Sequence, residues 1–320
     1  MRAQLSRLVL GVLMSMALIV VRSPSALAAE GGAAKLRIAK DDSTISVYDG
    51  RRLALHYRYA DVPKKPYADQ LFSPAGVQVL RDSPPDHKHH HGLMYALEVD
   101  KVNFWEEHFP QSGQEKQKSL VEMKPVVQHG VARTGFVEQL DWLGPASEEP
   151  LLVERRTIEV LKANDLGATL AQWCCRLQAP PEKDKVVLRG NFYFGLGMRF
   201  VASMEGGHFF NADDKTAELV RGKGPFVETK WCAYTAAADG KPVTVAIFDH
   251  PANRPHPATI YTKSNPFIFL AATLNQWQKP VTVKAGKPLD LCYGIAVWDG
   301  EVDKATVEKL YGRWVKLAKP

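Results

Sequence analysis

From Lys35 to Asp299 the sequence keeps returning to one rhythm, an apolar side chain followed by a polar one, in runs short enough to be strands. Successive side chains of a strand point to opposite faces, so this period of two marks half-buried β-structure. KLRIAKDDSTISVYDGRRLALHYRY reads as three strands separated by DDS and DGR turns. LMYALEV, VARTGFVEQLDWL, LLVERRTIEVL, ATLAQWCCRLQ, PVTVAIFDH and LDLCYGIAVWD continue the series. Gly, Pro, Asn and Asp punctuate them at the spacing of a sandwich or barrel. One segment breaks the rhythm. DKATVEKLYGRWVKLA sets Val307, Leu310, Tyr311, Trp314, Val315 and Ala318 on one face at helical spacing, with Asp303 as N-cap. No internal repeat or hinge-like linker divides the chain. The expected fold is all-β: one domain of two large sheets with a C-terminal amphipathic helix.

The amino terminus calls for separate treatment. Arg2 and Arg7 precede an apolar run from Leu8 to Val21, and Ala26-Leu27-Ala28 follows as an A-x-A cleavage signal. This is the layout of a secretory signal peptide, expected over 1–29, with the β domain over 30–320. The run is short of the ~20 residues of a membrane span, and no later stretch qualifies. The expected location is therefore periplasmic or secreted, with no membrane span after removal of the signal. Loss of Arg2, Arg7 and Arg22 takes the formal net charge from +6 to +3. No Lys/Arg stripe is interleaved with aromatics, so nucleic acid is not an expected partner. Four cysteines, Cys174, Cys175, Cys232 and Cys292, are too few for a disulfide scaffold. Cys174 and Cys175 point to opposite faces of a strand, so at most one can share a partner's face.

The chemistry concentrates in DSPPDHKHHHGL, residues 82–93, which holds four of the ten histidines. In an extended segment His87, His89 and His91 share a face and His90 points away. With Glu98, Glu106 and Glu107 nearby, that trio offers a zinc or iron site. The preferred alternative is acid–base work, with Asp82 and Asp86 tuning the imidazoles, no cofactor and no metal ligand. A solvated polar loop is the third reading. A second polar stretch, DHPANRPHP, follows the strand VTVAIF, and its Asp249, His250, Asn253, Arg254 and His256 suit a polyhydroxylated ligand. Phe104, Trp105, Trp231 and Tyr234 are either core or sugar-stacking rings. Arg199 and His208 are further binding candidates, and Glu205 and Glu228 are candidate carboxylates. FGLGMRF lacks the third glycine of a dinucleotide fingerprint and reads as close-packed backbone. G-x-S-x-G, Walker, H-E-x-x-H and paired C-x-x-C motifs are absent.

VQVLRDSPPDHKHHHGLMYAL, VNFWEE, VAIFDHPANRPHPATIY and LCYGIAVWDG together resemble the PmoA-like domain family of exported bacterial proteins. Asp86, His87, His89, His90 and Gly92 match its first motif, and Phe104 and Trp105 its second. Asp249, His250, Pro251, Asn253, His256 and Pro257 match its third. Lys88, His91, Asn103 and Arg254-Pro255 depart from the pattern, so the resemblance does not support His91 as a ligand. The chain lacks the spans of the membrane enzyme whose name that family carries, and its activity is not inferred. The resemblance implies a galactose mutarotase-like supersandwich, a fold shared by epimerases, lyases and glycoside hydrolases. Together these readings predict an exported carbohydrate-active protein whose sugar ligand meets histidine acid–base chemistry, with hydrolase, lyase and epimerase all open. His87 and His90 would transfer protons. His89, Trp105, Arg199, Asp249, His250, Asn253 and His256 would hold the substrate, which requires both loops to share one pocket. A non-catalytic glycan-binding module and a metal-dependent enzyme built on His87–His91 are the alternatives.

Overall fold

The alternation resolves into antiparallel ladders. A computed structural model describes residues 36–215, 218–220 and 224–318, all within one compact unit. The expected signal segment lies outside the described residues. A ten-stranded sheet carries, in order from one edge, the strands Leu36–Lys40, Thr44–Asp49, Arg52–Arg58, Tyr67–Leu71, Leu93–Ala96, Gly195–Arg199, Phe269–Thr273, Thr259–Lys263, Gly224–Glu228 and Glu218–Val220. An eight-stranded sheet runs from His208–Asn211 through Trp231–Ala238, Lys241–Asp249, Leu289–Asp299, Thr169–Gln178, Pro150–Lys162 and Val131–Leu143 to the edge strand Gln114–Gln128. A four-stranded sheet is smaller. The expected all-β class, with two large sheets and one C-terminal helix, is the observed one.

The two large sheets pack face to face. Ile45, Val47, Leu55 and Tyr57 of the first meet Phe136, Leu140, Trp142, Ile158 and Trp173 of the second in one buried cluster. Tyr57 touches Phe136 and Trp173 with ring centroids 4.9 and 5.9 Å apart. The opposite face of the eight-stranded sheet is also covered. There Trp231, Ala233, Ala246, Phe248, Cys292, Ala296 and Trp298 receive Val307, Leu310, Tyr311 and Trp314 of the helix α1, Lys304–Leu317. Its N-cap is Asp303, whose carboxylate accepts from Thr306 N at 2.8 Å. Strands buried on both faces need apolar side chains at every position, so 241–249 and 289–299 read as nearly continuous apolar runs.

Parity also settles the cysteines. Cys174 and Cys292 lie opposite each other in the ladder and form a disulfide on the helix-covered face. Cys175, one residue on, points between the sheets as a buried free thiol, and Cys232 is likewise free and buried.

A polar network spans the two sheets inside this core. Arg156 pairs with Glu154 at 2.7 Å and Glu115 at 2.9 Å and donates to Tyr57 Oη at 3.0 Å. Tyr57 in turn donates to Glu138 at 2.6 Å. One guanidinium faces three carboxyl groups with essentially no access to water. Desolvation therefore outweighs the attraction of Arg156 and pushes Glu138 up to about 8, and Glu115 likewise to about 8. Burial favours the neutral acid in the folded chain, whereas the unfolded carboxyl ionises near 4.5. The stability tied to that proton is complete below the unfolded value and is lost as pH rises towards about 8. Urea unfolding should show stability falling between these two pH values, and Glu138→Gln, which cannot ionise, should flatten the decline. A wild-type curve flat across that window, or an unchanged slope in the variant, would contradict this assignment.

Candidate functional site

The histidine stretch is a closed loop, not an extended segment. Asp82 and His91 bridge its base, and Gly92 N donates to Arg81 O at 3.1 Å. Inside it His87 N donates to Pro84 O at 3.0 Å and His90 N to His87 O at 2.9 Å. Two successive tight turns break the alternation on which the sequence expectation rested. As a result His87, His89 and His90 gather, with ring centroids 4.6 Å apart for His87–His90 and 4.7 Å for His89–His90. His91 turns the other way. Gly92 makes the exit possible: its φ is +59°, and a Cβ there would lie 2.4 Å from Ala68 O.

The expected His87/His89/His91 trio is thus corrected. His91 is 1% exposed and both its ring nitrogens are taken. Nδ1 lies 2.9 Å from Asp82 and 2.9 Å from Ser83 Oγ, and Nε2 lies 2.8 Å from Glu107. The wholly buried Lys65 closes this chain by donating to Glu107 at 2.5 Å and to Trp105 O at 3.1 Å. Desolvation opposes the charge on Glu107, but its bonds from His91 and Lys65 outweigh that and hold its carboxyl below the usual range.

Arg199 anchors the loop to the ten-stranded sheet. Its backbone accepts from Arg81 N at 2.9 Å and donates to Gly92 O at 2.7 Å, one bond at each end of the loop. Its guanidinium reaches the tip, 2.8 Å from Asp86 Oδ2 and 3.3 Å from His90 Nδ1, and lies 3.9 Å over the Phe267 ring. The expectation that Arg199 binds substrate is corrected accordingly, because it is 2% exposed and its fork is already engaged by the loop.

An arginine donates only, so His90 Nδ1 must accept, and the neutral ring then carries its proton on Nε2. Burial, together with the neighbouring His89, His87 and Arg199, lowers His90 to about 2. With Nδ1 accepting from Arg199, the neutral His90 ring offers its Nε2–H as a hydrogen-bond donor. His87 differs. Its Nδ1 lies 2.9 Å from Asp86 Oδ2, and the ring is about one-third exposed. Desolvation resists the charge on Asp86, but the bonds from Arg199 and His87 hold its carboxyl well below the usual range. An ionised Asp86 accepts from Nδ1–H, leaving the His87 Nε2 lone pair free.

These side chains line a cavity of about 410 Å³ with Asp86, His89, Trp105, Glu106, Tyr193 and Lys263 among its walls, and Phe192, Tyr261, Phe267 and Phe269 completing them. Trp105 is not an exposed platform. It is fully buried and stacked on Phe194 at 5.1 Å, beside Phe269, for whose ring Gly197 leaves room: a Cβ there would lie 2.4 Å from it. His89 meets Glu106 at 3.2 Å, and burial, with Lys65 and His87 nearby, lowers it to about 4. His108 joins the same carboxylate at 3.6 Å. It is a residue the sequence reading passed over, although it stands two positions after Glu106. Phe192, Tyr193, Tyr261, Lys263, Phe267 and Phe269 were also missed, since they come from separate strands, a turn and a bend and form no motif in the sequence.

The second polar loop is structural. Asn253 donates to Asp249 at 2.6 Å and to Cys292 O at 2.9 Å, and accepts from Cys292 N at 2.8 Å. Asp249 also accepts from Ala258 N at 2.8 Å and meets His256 at 2.6 Å. The His250 ring edge packs on Trp314 of α1. These groups knit the loop to the neighbouring strand and helix, and none of Asp249, His250, Asn253 or His256 lines the cavity. The expectation of one shared pocket is therefore corrected: Asp249 and Asn253 are engaged by His256, Ala258 and Cys292, and none of the four residues is in the cavity lining. Phe104, Trp231 and Tyr234 are core, and His208, Glu205 and Glu228 lie exposed away from the lining.

Comparison with known proteins adds a family. A model described as a family of unknown function, DUF6807, matches residues 44–312, and the chain belongs to that family. This corrects the resemblance to the PmoA-like family, because the matching model is DUF6807. The sequence matches no curated protein. Among solved structures, the chain is similar to the alpha-galactosidase from Lactobacillus brevis at 7% identity and a TM-score of 0.49, over 88% of this chain and 42% of that one. It is similar to the GH36 alpha-galactosidase AgaB from Geobacillus stearothermophilus at 10% identity and 0.48, over 82% and 41%. A galactose mutarotase-like protein from Clostridium acetobutylicum follows at 9% and 0.41, over 83% and 99%. The chain spans less than half the length of the two galactosidases. The fold described above rests on the chain's own sheets and not on these scores.

If Arg199 anchors the loop, Arg199→Lys should leave the sheets intact but free the loop tip. Hydrogen exchange at the His90 amide should accelerate, with a stability loss of about 1–3 kcal/mol for the stranded partners. Unchanged exchange at His90 would show that the loop holds its shape without the guanidinium.

Proposed function

We propose that this member of the DUF6807 family is an exported carbohydrate-active enzyme in which His87, oriented by Asp86, moves a proton on a sugar or glycoside bound in the cavity. One observation carries the reading: the Arg199–Asp86–His87 chain ends in an imidazole with a free nitrogen at the cavity wall. A carboxylate that fixes the tautomer and stabilises the imidazolium is how histidine is made a general base.

The remaining walls support a sugar. Tyr193, Phe192 and Phe267 present apolar faces, while His89, Glu106, Lys263 and the donor nitrogen of His90 supply hydroxyl partners. That mixture of rings and convergent polar groups suits a carbohydrate, whose C–H faces stack while its hydroxyls bind. The cavity falls within the ~300–1,000 Å³ range of small-molecule sites. In this scheme His87 Nε2 removes a proton from the anomeric hydroxyl as the ring C–O bond breaks and gives it to the ring oxygen, or removes it from a carbon beside a carbonyl to form an enediolate and gives it to the neighbouring carbon; either way the free base is restored. His90 Nε2–H binds the oxygen on which charge develops.

The experiment is a screen of mono- and oligosaccharides against the purified chain, reading thermal stabilisation and turnover. On the sugar that scores, His87→Ala should lower kcat by about 10²–10⁴-fold with binding retained, and Asp86→Asn should lower it in the same direction. Binding without turnover in the wild type would replace the enzyme by a glycan-binding module. Turnover indifferent to His87 would contradict the assignment outright.

A further inference from the structure

We propose that His89, Glu106 and His108 form a binding site for a divalent first-row transition ion, zinc in the first instance, at the edge of the cavity. The ligand atoms of these three residues lie within 4.8 Å of one another, the one such group among the described residues. Two of the three separations are already short: Glu106 Oε2 lies 3.2 Å from His89 Nε2 and 3.6 Å from His108 Nδ1. Tetrahedral zinc with bonds of ~2.0–2.2 Å sets its ligand atoms roughly 3.4 Å apart. An ion therefore needs only the two imidazoles to close the third edge, and His108 is more than half exposed on its loop.

The donor set fits the ion class. Two imidazole nitrogens and one carboxylate oxygen suit zinc or iron rather than the all-oxygen shells of calcium and magnesium. Three protein ligands leave a position open, and two of the three line the cavity, so that position faces whatever the cavity holds. The surroundings hold the carboxylate in place. Glu106 Oε1 accepts from Tyr193 Oη at 3.3 Å, which directs Oε2 to the histidines. Asn103 Oδ1 accepts from both Trp105 N and Glu106 N, at 2.8 and 3.0 Å, fixing the backbone from which Glu106 projects. Outer hydrogen bonds of this kind orient ligands in metal sites. The nearby cation Lys65 is paired with Glu107 and so is largely offset.

This site differs from the one expected from sequence. His87 is not among the convergent ligand atoms and both ring nitrogens of His91 are taken, while the ligand His108 enters from a second loop. It does not depend on what the cavity binds, because its test needs no substrate.

The test titrates the untagged, chelator-stripped full chain with Zn²⁺ by calorimetry, and separately with Co²⁺ by visible absorption. One Zn²⁺ per chain should bind, and Co²⁺ should give the visible bands of a low-coordinate nitrogen–oxygen site. His108→Ala and Glu106→Gln should each weaken Zn²⁺ by at least about 100-fold, beyond the roughly 10–100-fold cost of losing an outer partner. His108 is exposed and outside the core, so His108→Ala tests the site in a folded chain. His91→Gln, outside the ligand set, should bind Zn²⁺ within a few-fold of wild type wherever circular dichroism shows it folded. Absent stoichiometric binding, or binding indifferent to both His108→Ala and Glu106→Gln, overturns the proposal.

Discussion

Everything at the site depends on one buried guanidinium. Arg199 sits on a strand in the middle of the ten-stranded sheet, so its position is set by ladder bonds on both sides. Its backbone ties both ends of the histidine loop, and its side chain ties the tip through Asp86 and His90. Arginine suits this role because its planar fork can serve two acceptors in fixed directions and remains charged when buried. The cost of burying it is offset on one side by Asp86 and on the other by the Phe267 ring. Without that anchor, a loop containing four imidazoles has no reason to hold three of them together.

The anchor also divides the labour of the histidines. Each ring nitrogen that meets a protein partner is thereby assigned, and what remains is the chemistry available to a ligand. His91 has nothing left and is part of the scaffold. His90 keeps one N–H, His87 keeps one lone pair, and His89 faces a carboxylate it shares with His108. Four neighbouring residues of one type therefore carry four different roles, decided by the adjacent Asp86 for His87 and by partners distant in sequence, Arg199, Glu106 and Glu107, for the others.

The fold was legible in the sequence because side-chain parity is local information. The alternation gave the strands, the 3.6-residue spacing gave α1, and the parity of Cys174 and Cys175 already limited the disulfide that Cys292 completes. The site was legible only in composition. DSPPDHKHHHGL marked the right segment, but the geometry drawn from it assumed extension, and the turn bonds at His87 and His90 reversed which rings converge. The second polar loop misled for the opposite reason. Its donors and acceptors are as dense as a sugar site requires, yet Asn253 holds the loop to Cys292 and Asp249 holds His256 and Ala258, and local sequence does not distinguish a loop that binds itself from one that binds a ligand. Lys65 and Arg156, wholly buried cations, could not be separated from surface charge without knowing their partners.

Protein partners fix a different proton arrangement on each imidazole of the loop. Nitrogen-15 correlation spectra of the histidine rings read this directly at neutral pH. His90 is expected with its proton on Nε2 and a bare Nδ1, and the neutral form of His87 with its proton on Nδ1 and a bare Nε2. A His90 ring protonated on Nδ1, or a His87 ring whose neutral form carries its proton on Nε2, would contradict that arrangement.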